Sequence, residues 1–450
     1  MKRRDILALG AAGAATGLAF PFATTADAAK AQDARRLAPT PPMGWNSWNS
    51  FATTITEAQA IEQATIMARE LRPAGYDVFT VDIQWYEPDA SSYNYSGNPK
   101  PAMDANGRLQ PAVNRFPSSA GGRGFAPLAE RVHAMGLRFG VHLMRGIPRL
   151  AVERNLPVLG TTVRARDVAD TSSTCSWNPD MFGVNMAVPG GQAYYDSVFA
   201  LFAAWGVDFV KVDDLSRPYD AHAPEIEGIA RAIKRSGRPM ILSMSPGETP
   251  VIRGAHARAH AQMWRISDDF WDDWGMLGAQ FTRLENWNMF MGDGGWPDAD
   301  MLPLGRLALG ERDTRFTPAE QQTLMTLWSI ARSPLIMGGD LRHLNPATKA
   351  LLTNPEVIAV NQASSGNGPL YVEDHLRLWG ARAPNGDRYL AMFNLADEPR
   401  DIGIDLSALG LTGTVAVRDL WKRAADGTAG GRLTRRIDPH GARLYRLATA

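Results

Sequence analysis

Two short apolar runs of this sequence end in pairs of acidic residues. The segment Phe209–Asp214 reads FVKVDD, and the segment Trp264–Phe270 reads WRISDDF. Barrel enzymes present catalytic carboxylates in this way, at the C-terminal ends of parallel strands. Hydrolysis of a glycoside with retention requires one carboxylate that attacks the anomeric carbon and a second carboxyl that protonates the leaving oxygen, about 5 Å apart. The pattern predicts such a pair, formed by Asp213 and Asp269.

The elements that would position these carboxylates follow an alternating pattern. Between Pro41 and Gly339, β-like apolar runs alternate with amphipathic helical segments, which is typical of a parallel sheet wrapped by helices. Eight strands predict a (β/α)8 TIM barrel. The predicted strands are Met43–Trp48, Tyr76–Asp82, Leu137–Leu143, Asp208–Asp213, Met240–Met244, Trp264–Ser267, Trp287–Phe290 and Pro334–Met337.

Two connecting segments can be interpreted in more detail. A capping box of Thr56 and Gln59 predicts the start of a helix that ends before Pro73 and packs its apolar face on the barrel. The long segment 146–185 carries turn-forming residues and is expected to lie over the mouth of the barrel, where it would shape a substrate cleft.

After Val360 the pattern changes to short alternating strands separated by Pro-Asn-Gly, Asp-Gly and Gly-Gly turns, which predicts an antiparallel β-sandwich. The predicted domains are a catalytic barrel at 39–357 and the sandwich at 358–450. The sandwich contains only two tryptophans, Trp379 and Trp421, which favours a structural buttress over a second sugar-binding module. Its predicted strands are Leu370–Val372, Leu376–Ala381, Tyr389–Asn394, Thr414–Asp419 and Ala442–Arg446.

The first 28 residues differ from the rest of the chain. Lys2, Arg3 and Arg4 precede a run of small and apolar residues from Ala8 to Phe22, followed by Ala26–Ala28. This pattern predicts a twin-arginine export signal cleaved after Ala28, and a periplasmic or secreted protein. The apolar run is too short and too rich in alanine for a membrane span. Cys175 is the single cysteine, so an internal disulfide framework is excluded.

The charge balance excludes two classes of partner. The chain carries 47 basic and 47 acidic residues, so no electrostatic attraction to nucleic acid or to an anionic membrane is expected. Its 13 tryptophans suit the apolar faces of sugar rings, although core packing accounts for most of them. The sequence contains no metal-ligand spacing such as HExxH or CxxC, and no metal or other cofactor is expected.

Five segments, in a fixed order over nearly the whole chain after residue 28, resemble glycoside hydrolase family 27, which includes α-galactosidases and α-N-acetylgalactosaminidases. The resemblance implies a retaining glycosidase with a barrel and a C-terminal β-sandwich. The matching segments are Thr40–Trp48, Val210–Asp213, Trp264–Asp269, Gly294–Leu302 and Ser333–Gln362.

The resemblance assigns roles to the acidic residues. Asp213 matches the nucleophile and Asp269 matches the acid/base. Lys211 is expected to keep the nucleophile ionised, whereas the acid needs a raised pKa. The neighbouring acids have other interpretations: Asp214 could cap the next helix or line the cleft, and Asp268 could be a hydrogen-bond partner.

Further residues match sugar ligands of the family. Arg265 resembles a ligand of two adjacent hydroxyls, with a structural ion pair as the alternative. Trp48 resembles the tryptophan that stacks on the sugar, with a barrel-core indole as the alternative. Asp298 and Asp300 resemble the acidic loop after strand seven, but turn-forming aspartates explain them equally well.

Two departures from the family pattern bear on the sugar. Asp82 matches one of two consecutive aspartates that bind hydroxyls on the C4–C6 side of galactose, but Ile83 replaces the other and cannot accept a hydrogen bond. Gln84 or Trp85 could compensate. After strand five, Ser245 and Pro246 stand in place of the residues that recognise the 2-position, and only the serine can bind a hydroxyl.

His142, where the family often has tyrosine, is a candidate ligand of the sugar or of the nucleophile, and a packed histidine is the alternative. The combined prediction is an exported exo-glycosidase that removes terminal α-D-galactosides from oligosaccharides or plant polysaccharide side chains. A β-L-arabinopyranoside, an α-N-acetylgalactosaminide or another α-linked sugar, as in isomalto-dextran, is the alternative substrate. The rival classes are a metal-assisted barrel enzyme with Asp213 and Asp214 as ligands, and a carbohydrate-binding barrel without catalysis.

Overall fold

The computed structural model describes residues 37–449, and the predicted export signal lies outside the described residues. The strands are β1 Met43–Asn46, β2 Val78–Val81, β3 Arg138–Met144, β4 Ile147–Pro148, β5 Ala169–Thr174, β6 Met181–Val184, β7 Phe209–Asp213, β8 Ile241–Met244, β9 Met263–Arg265, β10 Trp296–Asp298, β11 Arg306–Leu307, β12 Arg312–Asp313, β13 Leu335–Met337, β14 Ser365–Glu373, β15 Leu376–Arg382, β16 Arg388–Asn394, β17 Arg400–Asp405, β18 Thr414–Asp419, β19 Ala424–Gly430, β20 Arg432–Ile437 and β21 Ala442–Thr449. The helices are α1 Trp48–Phe51, α2 Glu57–Glu70, α3 Ala126–Ala134, α4 Arg149–Glu153, α5 Ala165–Val168, α6 Pro189–Ala204, α7 Tyr219–Arg235, α8 Gly254–His260, α9 Trp274–Trp287, α10 Pro318–Ile330, α11 Pro346–Leu352 and α12 Pro355–Ala363.

Eight parallel strands form the predicted barrel. Their order in the sheet is β10-β9-β8-β7-β3-β2-β1-β13. The barrel closes just beyond β10, where Leu302 pairs with Met337 of β13 in a parallel bridge and its N–H donates to the carbonyl of Ile336 at 2.7 Å. The (β/α)8 fold is therefore confirmed.

Helix α2 forms as its sequence predicts. Thr56 and Gln59 make both hydrogen bonds of the capping box, and the predicted face at Ala60, Ala64 and Met67 is buried. The capping box fixes the N-terminus of the helix, and burial of this face fixes its rotation about its axis.

One predicted strand, Trp287–Phe290, is wrong. Helix α9 starts at the N-cap Asp273 and runs through Trp287, followed by a 3-10 turn at Asn288–Phe290. The buried positions Leu277, Phe281 and Leu284 have helical spacing, and Trp287 continues it. The seventh barrel strand is β10 instead, which was missed because Pro297 lies at its centre.

The segment 146–185 is more ordered than the predicted loop. Strands β4, β6 and β5 form a small antiparallel sheet in that order, with α4 and α5 between β4 and β5. The sheet carries the residues 171–180 to the edge of the barrel mouth.

The C-terminal part is the predicted antiparallel sandwich. A six-stranded sheet, β14-β15-β16-β21-β18-β19, faces the pair β17-β20 around a separate apolar core. Strands β17, β19 and β20 were not predicted, because β17 and β20 are rich in charged residues and β19 in small ones. The predicted domain boundary at 357/358 falls inside α12.

The sandwich packs directly on the barrel. Phe393 of β16 contacts Phe281 of α9 with ring centroids 4.9 Å apart, and Arg377 pairs with Glu285 at 2.9 Å. The barrel core continues through Trp379 and Phe393 without a break. The contact is therefore a shared core, not a linker between independent units.

Candidate active site

The inner face of the barrel changes from apolar to polar along the strands. Side chains near the strand starts form an apolar cluster that includes Val78, Phe209, Ile241, Met263, Trp296 and Ile336. Side chains two residues apart on a strand share a face, so the next inward positions are Thr80, Lys211, Ser243, Arg265 and Asp298. The polar layer lies at the C-terminal mouth, where barrel enzymes carry their catalytic groups.

Asp213, the last residue of β7, is buried beside two nitrogen-bearing side chains. Nε2 of His142 lies 3.0 Å from its Oδ2, and Nζ of Lys211 lies 3.8 Å from its Oδ1. Burial acts to raise the pKa of Asp213, but Lys211 and His142 outweigh it and hold the pKa well below its usual range. The carboxylate is therefore ionised, as a nucleophile must be.

Asp214 is engaged elsewhere. Its Oδ2 accepts a hydrogen bond from Nη2 of Arg145 at 2.8 Å, and Nη1 of Arg145 lies 2.6 Å from Oε1 of Glu225. The backbone N–H of Arg145 donates to the carbonyl of Asp213 at 2.9 Å. Asp214 thus lines the cleft but anchors the end of β7, which favours Asp213 as the reacting carboxylate.

Asp82 joins the ends of β1 and β2 to β7. Its Oδ2 lies 3.0 Å from Nζ of Lys211 and accepts a hydrogen bond from Nδ2 of Asn46 at 2.6 Å. Its Oδ1 accepts the backbone N–H of Ile83 at 2.9 Å. Asp82 is fully buried and holds Lys211 at the mouth.

Arg265 bridges the second carboxyl group to the barrel interior. Nη2 lies 2.9 Å from Oδ2 of Asp300 and 3.3 Å from Oδ1 of Asp269, and Nη1 donates to Oγ of Ser245 at 3.4 Å. Burial acts to lower the pKa of Arg265, but Asp300 and Asp269 raise it above its ordinary value. The guanidinium is therefore a permanently charged partner of Asp269.

Asp300 lies closer to Arg265 than Asp269 does. Burial raises the pKa of Asp300 to about 7, although Arg265 acts to lower it. Its Oδ2 accepts the N–H of Phe270 at 2.7 Å, and Oδ1 of Asp298 accepts the N–H of Asp300 at 2.9 Å. Asp298 thus forms a turn, and a direct contact of Asp300 with substrate stays a prediction.

Asp269 and Asp268 have different surroundings. The Asp269 side chain is 52% exposed and faces Arg265, whereas Asp268 forms an exposed ion pair with Arg217. Both line the cleft, but Asp269 alone of the two contacts the buried arginine. The geometry favours Asp269 as the proton donor.

A cleft of about 730 Å³ brings most of these groups together. Trp48 is half-buried and lies parallel to Tyr95, with ring centroids 6.3 Å apart and an interplanar angle of 7°. It is therefore a cleft residue, while the fully buried Trp45 fills the core. The lining includes Trp48, Asp82, Ile83, Tyr95, Trp177, Lys211, Asp213 and Asp269.

Sequence reasoning missed Tyr95, Trp177 and Arg145. Arg145 directly follows β3 and could have been found as a charged residue at a strand end. Tyr95 and Trp177 lie in connecting segments, where their aromatic character among polar neighbours was the available signal.

Within residues 37–449, no group of three or more His, Cys, Asp or Glu side chains is arranged to hold a metal ion. In the same part of the chain, no helix has the length and apolar character needed to cross a membrane.

Comparison with known proteins gives consistent matches over both parts of the chain. Residues 180–363 match the family described as alpha galactosidase A, and residues 373–447 match the alpha galactosidase C-terminal beta sandwich domain. An α-galactosidase from Oryza sativa is 29% identical, covering 91% of this chain and 85% of its own length. Human α-galactosidase A is also 29% identical, covering 83% of this chain and 79% of its own length.

A solved structure is more similar. The family 27 β-L-arabinopyranosidase from Geobacillus stearothermophilus is 46% identical, with a TM-score of 0.91 over 93% of this chain and 98% of its own. A variant of that enzyme has been solved in complex with arabinose.

Proposed function

This chain belongs to glycoside hydrolase family 27 and is an α-galactosidase-like glycoside hydrolase, and we propose that it is a retaining exo-glycosidase that removes terminal β-L-arabinopyranosyl groups. The observation that carries the choice of sugar is the buried Ile83, which lines the cleft beside Asp82. The catalytic roles of Asp213 and Asp269 are inferred from the surroundings of these two carboxyl groups.

The proposed reaction proceeds by double displacement. The ionised Asp213 attacks the anomeric carbon while Asp269 donates its proton to the departing oxygen, which gives a glycosyl ester of Asp213. Asp269, now a carboxylate, takes a proton from water, and the resulting attack breaks the ester with a second inversion. The buried, charge-stabilised position of Asp213 suits a nucleophile, and the exposure of Asp269 leaves it accessible to the departing oxygen and to water.

The sugar is chosen by what the wall of the cleft can bind. A β-L-arabinopyranoside has the ring of an α-D-galactoside without the hydroxymethyl group. Ile83 stands where the family's galactosidases have an aspartate for hydroxyls on the C4–C6 side, and an alkyl side chain offers no acceptor there. Burying a hydroxyl against it without a partner costs binding energy, whereas the smaller sugar has no such group to bury.

The test is a comparison of p-nitrophenyl β-L-arabinopyranoside with p-nitrophenyl α-D-galactopyranoside. We expect kcat/KM to be at least about 10-fold higher for the arabinoside, since polar groups left unpaired in a site lower specificity constants strongly. NMR of the first product formed should show the β-L anomer. Preference for the galactoside would overturn the sugar assignment, and an initial product of inverted configuration would overturn the mechanism.

A second candidate is a terminal α-D-galactoside, which the similarity to plant and human α-galactosidases favours. Asp82 and Lys211 line the cleft, where they can bind ring hydroxyls that the two sugars share. In either case Ser245 is the candidate for the 2-position. An α-N-acetylgalactosaminide requires room for an acetamido group beside Ser245, and the same panel extended by that substrate decides it.

A further inference from the structure

A row of aromatic rings leads from the proposed catalytic carboxylates toward solvent. Trp48 lies parallel to Tyr95, and Tyr95 in turn contacts Trp177 with ring centroids 5.7 Å apart at an angle of 49°. All three rings line the cleft that contains Asp213 and Asp269. Trp48 and Tyr95 are half-buried, whereas Trp177 is 39% exposed. The row therefore extends the cleft outward beyond the reacting groups.

Trp177 is exposed although its segment is firmly anchored. Cys175 is buried on one side and contacts the carboxylate of Asp214. On the other side the buried Asp180 accepts hydrogen bonds from Nε2 of Gln84, at 2.7 Å, and from the hydroxyl of Tyr86. The indole is thus held at the edge of the cleft at little further cost in conformational entropy when a ligand binds.

Tyr95 combines an apolar ring with a proton donor. Burial raises the pKa of its phenol, and the nearby carboxyl groups of Asp213, Asp82 and Asp269 raise it further. The hydroxyl is therefore neutral and can donate a hydrogen bond to a sugar oxygen, while the ring face packs against carbon atoms.

From this arrangement we propose that Tyr95 and Trp177 form a subsite for the leaving group, which stacks on a second pyranose ring or on an aromatic aglycone. The inference rests on the proposed exo-glycosidase function, because a leaving group must extend outward from the sugar that lies between Asp213 and Asp269. Aromatic faces suit this task because every pyranose has an apolar face of C–H groups, so the subsite would accept several leaving groups.

The experiment compares substrates that share one sugar but differ in the leaving group. β-L-Arabinopyranosyl fluoride has a single-atom leaving group that does not reach Trp177. The p-nitrophenyl glycoside and a disaccharide with the same terminal sugar do reach it. In Trp177→Ala we expect kcat/KM for the fluoride to stay within about twofold of the wild type, and that for the disaccharide to fall about 10-fold.

Two variants serve as controls. Trp177→Phe keeps an aromatic face and should retain most of the activity on the disaccharide. Tyr371→Ala removes an aromatic side chain of similar exposure, 44%, from the C-terminal sandwich and should change neither rate. Equal losses on the fluoride and on the disaccharide, or no loss on either, would overturn the subsite.

The outcome is separable from that of the proposed function. A wild type that hydrolyses α-D-galactosyl fluoride in place of the arabinosyl fluoride overturns the sugar assignment, and the same ratio measured with galactosides then decides the subsite. If the wild type hydrolyses neither fluoride, the proposed function fails. Quenching of tryptophan fluorescence by the disaccharide, present in the wild type and lost in Trp177→Ala, then supports the subsite, and its absence overturns it.

Discussion

His142 lies against the proposed nucleophile, with its Nε2 3.0 Å from Oδ2 of Asp213. Both side chains are buried; His142 has no exposed surface, whereas Asp213 also lines the cleft. The two strands that carry them are neighbours, since β3 pairs in parallel with β7 so that His142 lies opposite Lys211. The histidine and the lysine therefore approach the two oxygens of one carboxylate from adjacent strands.

Removing this contact should change the pH dependence of the reaction. In His142→Phe the pKa of Asp213 is expected to rise, because burial still acts to raise it while one of the two opposing groups is lost. The acidic limb of the kcat/KM profile, which reports ionisation in the free enzyme, should therefore move to higher pH. The matched control is His133→Phe, which removes a different, partly exposed histidine–aspartate pair, that of His133 with Asp208. An unchanged acidic limb in His142→Phe would contradict this role.

The identity of the nucleophile can be tested by chemical rescue. Asp213→Gly should lower kcat by at least about 10⁴-fold, and added azide should restore turnover by forming a glycosyl azide of inverted configuration. Asp214→Asn should keep a much larger share of the activity, because Asp214 anchors Arg145 and does not react. If azide restored turnover only in the Asp214 variant, Asp214 would be the nucleophile and Asp213 would not.

A chelator separates this mechanism from metal-assisted hydrolysis with Asp213 and Asp214 as ligands. A carboxylate pair needs no ion, so we expect prolonged dialysis against excess EDTA to leave kcat/KM unchanged. The measurement is activity before and after dialysis, with readdition of Mg²⁺, Ca²⁺ or Zn²⁺. Loss on dialysis and recovery with one of these ions would exclude the carboxylate-pair mechanism.

The barrel was predictable from sequence because its signals are local. Buried parallel strands are continuous apolar runs, and the capping box of Thr56 and Gln59 marks a helix start without reference to the rest of the chain. The prediction failed where local and tertiary preferences conflict. β10 contains Pro297 and still pairs with β9, because the barrel requires a strand there and only the residues after it complete the closure.

The site was predictable to the extent that its residues end strands. Asp82, Asp213 and Arg265 occupy such positions, and the structure brings them together. Tyr95 and Trp177 could not be placed in this way, because connecting segments have no fixed register relative to the sheet. Trp177 is placed by strands β5 and β6 of the small sheet, which the sequence did not predict.

Exchange of Ile83 should change the preference for the sugar. Ile83→Asp restores an acceptor beside Asp82, so the ratio of kcat/KM for the α-D-galactoside to that for the β-L-arabinopyranoside should rise by at least about 10-fold. Ile83→Val keeps an apolar side chain of similar shape and should leave the ratio within about threefold of the wild type. A ratio that does not move in Ile83→Asp would remove Ile83 from sugar selection.

The C-terminal sandwich is expected to be required for folding, not for binding of sugar. Phe393→Ala should lower the free energy of unfolding by about 3–5 kcal/mol, since Phe393 is fully buried in the core shared with the barrel. The kcat/KM of Phe393→Ala should stay near that of the wild type. Deletion of the residues after Val360 should give insoluble protein. The measurement is urea unfolding, with Tyr371→Ala as the exposed control. A soluble, active truncation would contradict the buttress.

His222 should make the protein less stable in mild acid. Burial and the charge of Arg145 lower the pKa of His222 from 6.5 to about 4. Between these two values the unfolded chain binds more protons than the folded one, so the free energy of unfolding falls as the pH falls. Between pH 6.5 and pH 5, His222 should lower the free energy of unfolding by on the order of 1 kcal/mol. Urea unfolding of the wild type and of His222→Gln at several pH values measures it. The slope against pH should be shallower in the variant, since glutamine has no proton to take up, and parallel slopes would show that His222 does not contribute.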